Sequence, residues 1–417
     1  MKKLVSLIVL TIIMSGNLFS QDCLNDVYYT LVNQKNPGKA KNQFDKKCFP
    51  GNEGNANIWL MKGNVYIMFY FNEMEEEQKN KTYKMKNPDL IIEAYEAFKK
   101  ALELNPNVEP MSRMFSPIQG QEKCAGPIYS LGDRYRVEKN YDKALDCYLK
   151  AQAAYRISLP NTVKPNENIN VFYTNINIYT IYRIKEDFEN YRNYLRRAYQ
   201  FKDLKIDYVY EDIYALFLNE KDTHKLEFVI DRAYSNIPDT LNKRFNIQLL
   251  ELNYRYITNQ RDTLKNLALN LINSIGIDST RVLDLTEIMQ YLVNINVEDE
   301  LQSFINQYLT RYENDVAMLK FKSKIYLKDF IDLDDEQERV RVSNMSNNDK
   351  IKRQQEIVLE KKKVLAEALV WYEKAYAIAP NDPEIIRNLY RVKKQNYVPV
   401  EPELEAAFQN LMNPKSE

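Results

Sequence analysis

Leu131-Gly132-Asp133-Arg134-Tyr135, followed by Ala144-Leu145-Asp146-Cys147-Tyr148-Leu149-Lys150-Ala151, decides how this chain folds. Within Ala125 to Ala151 the gaps between these residues describe two short antiparallel helices. Gly132 lets the second helix approach the first. Ala144 and Ala151 are small where the backbones touch, and Tyr135 and Tyr148 fill the space between.

The rest of the 417 residues agrees with helices. Only 9 glycines are present, and after Asp133 the single one is Gly276. Tight β-hairpins and phosphate-binding turns would need several. Lys, Glu, Leu, Ile and Asn dominate, which favours long helices. Tyrosine (31) far outnumbers tryptophan (2), as suits half-wet seams between helices.

Further helix pairs follow from the same spacing. Trp59, Gly63 and Tyr66 are answered by Ala94, Phe98 and Ala101, with Pro106 closing the pair. Residues 108–124 read as an irregular link. After the key stretch, a third pair shows Tyr179, Tyr182, Leu195 and Ala198. A fourth shows Tyr214, Phe217, Leu226, Ile230 and Ala233, and a fifth Leu252, Tyr256, Leu269 and Ile272. A sixth covers Val282–Tyr312. The last unit starts near Val316 and ends on Ala368, Tyr372, Ala375 and Pro380. Asp382-Pro383-Glu384 then opens a capping helix. Two charged insertions interrupt the pattern, Phe71–Pro88 and Asp329–Lys363. They fall at equivalent turns of the first and last units.

This pattern resembles the tetratricopeptide (TPR) repeat, whose period is about 34 residues. The resemblance implies an all-α helical-repeat solenoid of antiparallel helix pairs, preceded by an N-terminal helical hairpin. The expected organisation is a signal peptide over 1–20, the hairpin over 21–55, TPR-like repeats over 56–315, and a C-terminal unit over 316–417 holding the insertion 329–363, a capping helix and a tail.

Lys2-Lys3, the apolar run Leu4 to Met14 and the polar exit Ser15 to Ser20 read as a secretory signal cleaved after Ser20. Phe19-Ser20-Gln21-Asp22 lacks the small residue of a lipobox before Cys23, so a mature chain without a lipid anchor is expected, located in the periplasm. No later run is apolar enough to span a bilayer. Four cysteines in an exported chain point to disulfides. Cys23 and Cys48 bracket the hairpin, and closing that loop would contribute on the order of 3 kcal/mol. Cys124 and Cys147 form the other candidate pair.

Lys plus Arg equals Asp plus Glu at 58 each, which gives no pull on nucleic acid. The single histidine, His224, stands in a turn. There is no CxxC, no glycine-rich phosphate loop, no GxSxG and no HExxH. The chain therefore reads as non-enzymatic, with no cofactor and no metal.

In the TPR family the first helix of each repeat lines a groove along which protein partners lie. Carried over, those positions are Asn57 and Asn64 in the first repeat and Tyr129, Asp133 and Arg136 in the second. The third offers Tyr173, Thr180 and Arg183, and the fourth Tyr208, Glu211 and Asn219. Arg136 and Arg183 hold the same place in consecutive repeats, where with the tyrosines they would grip an acidic or C-terminal peptide group. The Lys/Asn set of chaperone-binding members is not reproduced. The usage of Asn, Lys, Ile and Tyr resembles exported TPR proteins of the Bacteroidota. The implied role is a periplasmic adaptor or scaffold in a cell-envelope complex for outer-membrane biogenesis or secretion, reaching the membrane through its partners. The alternative is a glycan-binding or glycan-processing helical-repeat protein.

Overall fold

The computed structural model describes residues 21–80, 82–157, 163–238 and 241–412. The expected signal peptide lies outside them. No described residue is in a strand. The chain divides into two compact units, Met1–Lys221 with Arg232–Pro238, and Asp222–Asp231 with Asp239–Glu417.

The first unit opens on the hairpin. Residues 21–28 are helical and continue into the π-helical turn Tyr29–Asn33. Asn36 then caps α1 (Pro37–Gln43), its side chain accepting from the Lys39 amide, with Pro37 in the first turn where its missing N–H is harmless. The disulfide Cys23–Cys48 closes the open end. Helix pairs follow: α2 (Ala56–Lys79) with α3 (Leu90–Leu104), α4 (Pro117–Val137) with α5 (Tyr141–Ile157), and α6 (Ile169–Ile184) with α7 (Phe188–Tyr199), then α8 (Asp207–Asn219). Each packs on the next, and α2 also touches α4, as expected where first helices of successive pairs adjoin. The helix α9 (Thr223–Asn236) is divided between the units.

The second unit repeats the scheme with α10 (Leu241–Ile257) and α11 (Arg261–Ile275), α12 (Val282–Asn294) and α13 (Glu298–Arg311), and α14 (Val316–Val342) and α15 (Asn347–Ile378). First helices meet again, α10 with α12 and α12 with α14. Then α16 (Pro383–Gln395) caps the stack, with the Asp382 side chain accepting from the Glu384 and Ile385 amides. The tail helix α17 (Pro402–Met412) folds back on α16, Tyr390 stacking on Phe408 at 3.9 Å between ring centroids. The second insertion is a helical extension, and the first is helical only in its leading half, with 82–89 outside any helix. The first lengthens α2 to Lys79, and the second makes α14 and α15 a long hairpin.

One expected link is helix. The chain expected to be irregular over 108–124 enters α4 at Pro117, because Ser116 and Gln119 form a capping box and Pro117 occupies the first turn. Gly120 belongs inside that helix for a packing reason. Phe98 of α3 is fully buried between Gly63 of α2 and Gly120. A Cβ on Gly63 would lie 2.7 Å from the Phe98 ring, and one on Gly120 would penetrate it further. Gly132 behaves as read from sequence, since a Cβ there would come within 2.9 Å of Tyr148.

The turns inside five successive pairs share one conformation. Lys139, Glu186, Lys221, Asn259 and Asn296 follow the first helices with φ of 57 to 63°, the left-handed region. They close Schellman-type ends, in which the next amide reaches back five residues: Asn140 to Tyr135 O at 2.8 Å, Asp187 to Tyr182 O at 3.0 Å, Gln260 to Arg255 O at 2.8 Å. Side chains at that φ are strained and glycine is not. Opposite effects are therefore expected in chemical denaturation. Glu186→Gly should raise the unfolding free energy by about 0.5–1 kcal/mol. Gly120→Ala should lower it by about 1–3 kcal/mol despite alanine's better helix propensity. A neutral Gly120→Ala would show that the Phe98 seat is not tight.

Candidate functional site

In the first unit, α4, α6 and α8 present one polar and aromatic face. Tyr129, Asp133 and Arg136 lie one helical turn apart on α4, and Tyr173, Asn177 and Thr180 do the same on α6. Neighbouring helices are joined across this face. The Asn177 amide donates to the Tyr129 hydroxyl at 2.8 Å. Tyr148, from α5, donates to Asp133 at 2.6 Å, and burial together with this carboxylate holds the phenol protonated well above its usual range. Arg183 donates through Nη1 to both oxygens of Asp212, at 3.0 and 3.3 Å. Burial lifts the Asp212 carboxyl above its ordinary value, and Arg183 pulls it back.

Arg136 lies 3.6 Å from Asp133 and Arg183 is held by Asp212, so each of the two arginines faces an acid of its own chain while keeping part of its side chain in solvent. The half-buried Asp212 requires such a counter-ion. Thr180 bonds back to Ile176 O at 2.9 Å within its helix. Glu211 is half-buried and Asn219 exposed at the end of α8. What stands open is aromatic: Tyr173 is 44% exposed and Tyr208 45%. Burial first, then Asp212 and Tyr173, hold the Tyr208 phenol above its usual range.

Two candidates from the first repeat go elsewhere. Asn64 is fully buried, and its side chain takes both backbone groups of Phe115, accepting from N at 2.7 Å and donating to O at 3.0 Å. It is a lock for the chain entering α4, not a ligand contact. Asn57 borders a cavity of about 410 Å³ with Leu24, Met61, Met111 and Met114. Among the cysteines only Cys23–Cys48 is bonded. Cys124 and Cys147 are separate buried thiols, and burial pushes Cys147 up to about 12, far from thiolate chemistry.

Sequence reasoning missed a second concave face, in the other unit. There α10, α12 and α14 enclose adjoining hollows of about 430 and 270 Å³ that share Gln290, Asn294, Phe321 and Lys324. Leu283, 73% exposed, edges the first, and Tyr256 the second. Asn253 donates to the Tyr291 hydroxyl at 3.3 Å, a counterpart of the Asn177–Tyr129 bond. The signal was present in α12, where Leu283, Glu287, Gln290 and Asn294 recur at helical spacing. Tyr256, read from sequence as a seam residue, is instead 41% exposed. Among the described residues no group of three His, Cys, Asp or Glu side chains is placed to hold a metal. No helix there is long and apolar enough to cross a membrane.

No protein-family model matches this chain, and no curated protein matches it in sequence. Among solved structures it is similar to pilF of Pseudomonas aeruginosa, at 14% identity over 66% of this chain and 99% of that one, with a TM-score of 0.29. A human IFIT1 dimer with PPP-AAAA gives 13% identity over 95% of both chains and 0.28. The TPR domain of P58(IPK) gives 13% identity over 90% of this chain and 97% of that one, and 0.24. At these values the likeness says nothing of ligands, and the helix-pair fold stands on the packing described above.

The Arg183–Asp212 pair has a testable sign. Removing Arg183 removes a lowering influence on a carboxyl already raised by burial. In Arg183→Ala the Asp212 carboxyl should titrate at higher pH than in the parent, as followed by carboxyl-carbon NMR. Stability relative to the parent should fall as pH rises through the carboxylate range, because the charged form is then unpaired in the fold. An unchanged Asp212 titration would show that the pair carries no weight.

Proposed function

We propose that this chain is a non-enzymatic protein-binding scaffold whose first-unit partner lies along α4, α6 and α8. The supporting observation is the pair Tyr173 and Tyr208. Each belongs to the first helix of its pair, and each keeps nearly half its surface in solvent although the neighbouring core had room for tyrosines such as Tyr179 and Tyr210. Large, stiff rings with a polar tip are what protein interfaces favour. The paired charges around them set register rather than supply bulk affinity.

The setting we propose is the periplasm of a Gram-negative bacterium, in an envelope assembly for outer-membrane biogenesis or secretion. The basic and apolar start of the sequence supports export. The Cys23–Cys48 disulfide supports an oxidising compartment.

A photo-crosslinking residue at position 173 or 208, used in intact cells and followed by mass spectrometry of gently solubilised envelopes, tests the reading. Crosslinks should converge on one envelope protein, and Tyr173→Ala with Tyr208→Ala should weaken its capture by about tenfold or more, as for truncated interface tyrosines. Absence of a convergent partner, together with retention of the chain on soluble polysaccharide, would replace this reading by the glycan alternative.

A further inference from the structure

The cavity of about 410 Å³ beside Asn57 is separate from the face of α4, α6 and α8, since none of its described lining residues comes from those helices. Its floor is apolar, made by Leu24 of the N-terminal hairpin with Leu60 and Met61 of α2, all of them buried. One wall is the turn Met111–Met114, closed by the Met114 amide on Met111 O at 3.1 Å. Inside that turn Arg113 takes a φ of 61° and stays exposed, while both methionines reach the cavity. The rim is polar. Gln21, Asn57 and Glu109 border it, and none of their side chains has a hydrogen-bond or ion-pair partner among the described residues. No Lys, Arg or His stands among the described lining residues, so the carboxylate of Glu109 is the charge the cavity offers.

We infer that this cavity binds a small molecule with an apolar body and one amine. Protein interiors are packed without hollows of this size, and here two locks hold the walls apart. Leu24 follows Cys23, whose disulfide to Cys48 fixes the hairpin. Met114 precedes Phe115, whose two backbone groups are taken by the buried Asn64. The same Asn64 amide donates to Leu60 O at 3.0 Å, so one side chain ties wall to floor. A hollow held open in advance spares a ligand the cost of ordering its site, and small-molecule sites span about 300–1,000 Å³. Met61, Met111 and Met114 suit an apolar body, because thioethers are polarizable and adapt to the shape of a guest. Glu109 takes the ammonium by a charge-assisted hydrogen bond, and the amide oxygens of Asn57 and Gln21 accept its remaining protons. An anionic ligand would meet a carboxylate and no cation.

NMR of the full chain, labelled at its methionine methyl groups and titrated with phenethylamine, tests this, with phenethyl alcohol as the neutral match. The amine should shift the Met61, Met111 and Met114 methyl signals saturably. It should bind about tenfold more tightly than the alcohol, as for a hydrogen bond to a charged group. Glu109→Gln, at an exposed position, should erase that preference and leave the alcohol unchanged. Met111→Trp should fill the hollow and remove both ligands, with unchanged melting to verify the fold. Lysine in a capped tripeptide should bind more weakly than the free amine, because its backbone does not fit inside. No shift with either ligand overturns the proposal. So do equal affinities of amine and alcohol, or a preference that survives Glu109→Gln. Tighter binding of the tripeptide overturns it in favour of a protein partner. Binding that appears only after acetylation of the Gln21 amine, in a chain cleaved after Ser20, overturns it by making that terminus the occupant.

Discussion

Phe98 between Gly63 and Gly120 is the contact on which the first unit depends. A helical glycine surrenders about 1 kcal/mol of helix preference relative to alanine, so two of them facing one ring need a return. The return is distance: without Cβ atoms, α2 and α4 close on α3 from both sides, and the ring fills the gap completely. Neighbouring features hold that seat in register. Asn64, one residue after Gly63, grips the backbone of Phe115 just before α4 begins. Tyr135, near the other end of α4, donates to Asp89 at the start of α3. The first turn and the far end of α4 are thus fixed to three different points.

Glycine usage also explains what was legible in the sequence. The pairs around Gly63 and Gly132 were readable because small residues there answer to a neighbouring side chain. The same reasoning left 108–124 as a link, because Pro117 and Gly120 are helix breakers by composition and helix residues only in the presence of Ser116 and Phe98. The middle pairs lost the glycine signature, yet their turns are the most regular feature of the chain. Lys139, Glu186, Lys221, Asn259 and Asn296 take the left-handed conformation that glycine would take freely. The backbone hydrogen bonds of the Schellman ends and the packing of the next helix outweigh that strain. A composition-based reading has no means of seeing glycine conformations held by lysine and glutamate.

The face of α4, α6 and α8 was legible in position and not in chemistry. Helical spacing located Tyr129, Tyr173 and Tyr208 on the first helices. It was silent about Asp212 and Asn177, because the partner of an arginine on one helix is set by how its neighbour is rotated. For Asn64 the outcome reversed. A polar residue at a groove position turned out to be buried, with the backbone of residue 115 as its ligand. The cysteines divide similarly: hairpin geometry predicts Cys23–Cys48, while Cys124 and Cys147 serve as small apolar residues in the core.

Stacks of helix pairs put each pair in contact only with its neighbours, and this governs where the chain can grow. Lengthening both helices of one pair at the shared turn leaves every inter-pair contact in place. The hairpin of α14 and α15 extends in that way, and its own stability must come from within. Its ion pairs are exposed and individually worth little, but Arg353 serves three glutamates at once and so fixes α14 to α15 through a network. The base of the hairpin is held differently. Lys320 and Lys324 of α14 both bind Glu384 at the start of α16, and the buried Lys393 of α16 binds Glu373 of α15 at 2.8 Å and Glu401 ahead of α17 at 2.7 Å. A lysine removed from water between two acids loses much if either is withdrawn. The capping helix and the tail are therefore part of what anchors the hairpin.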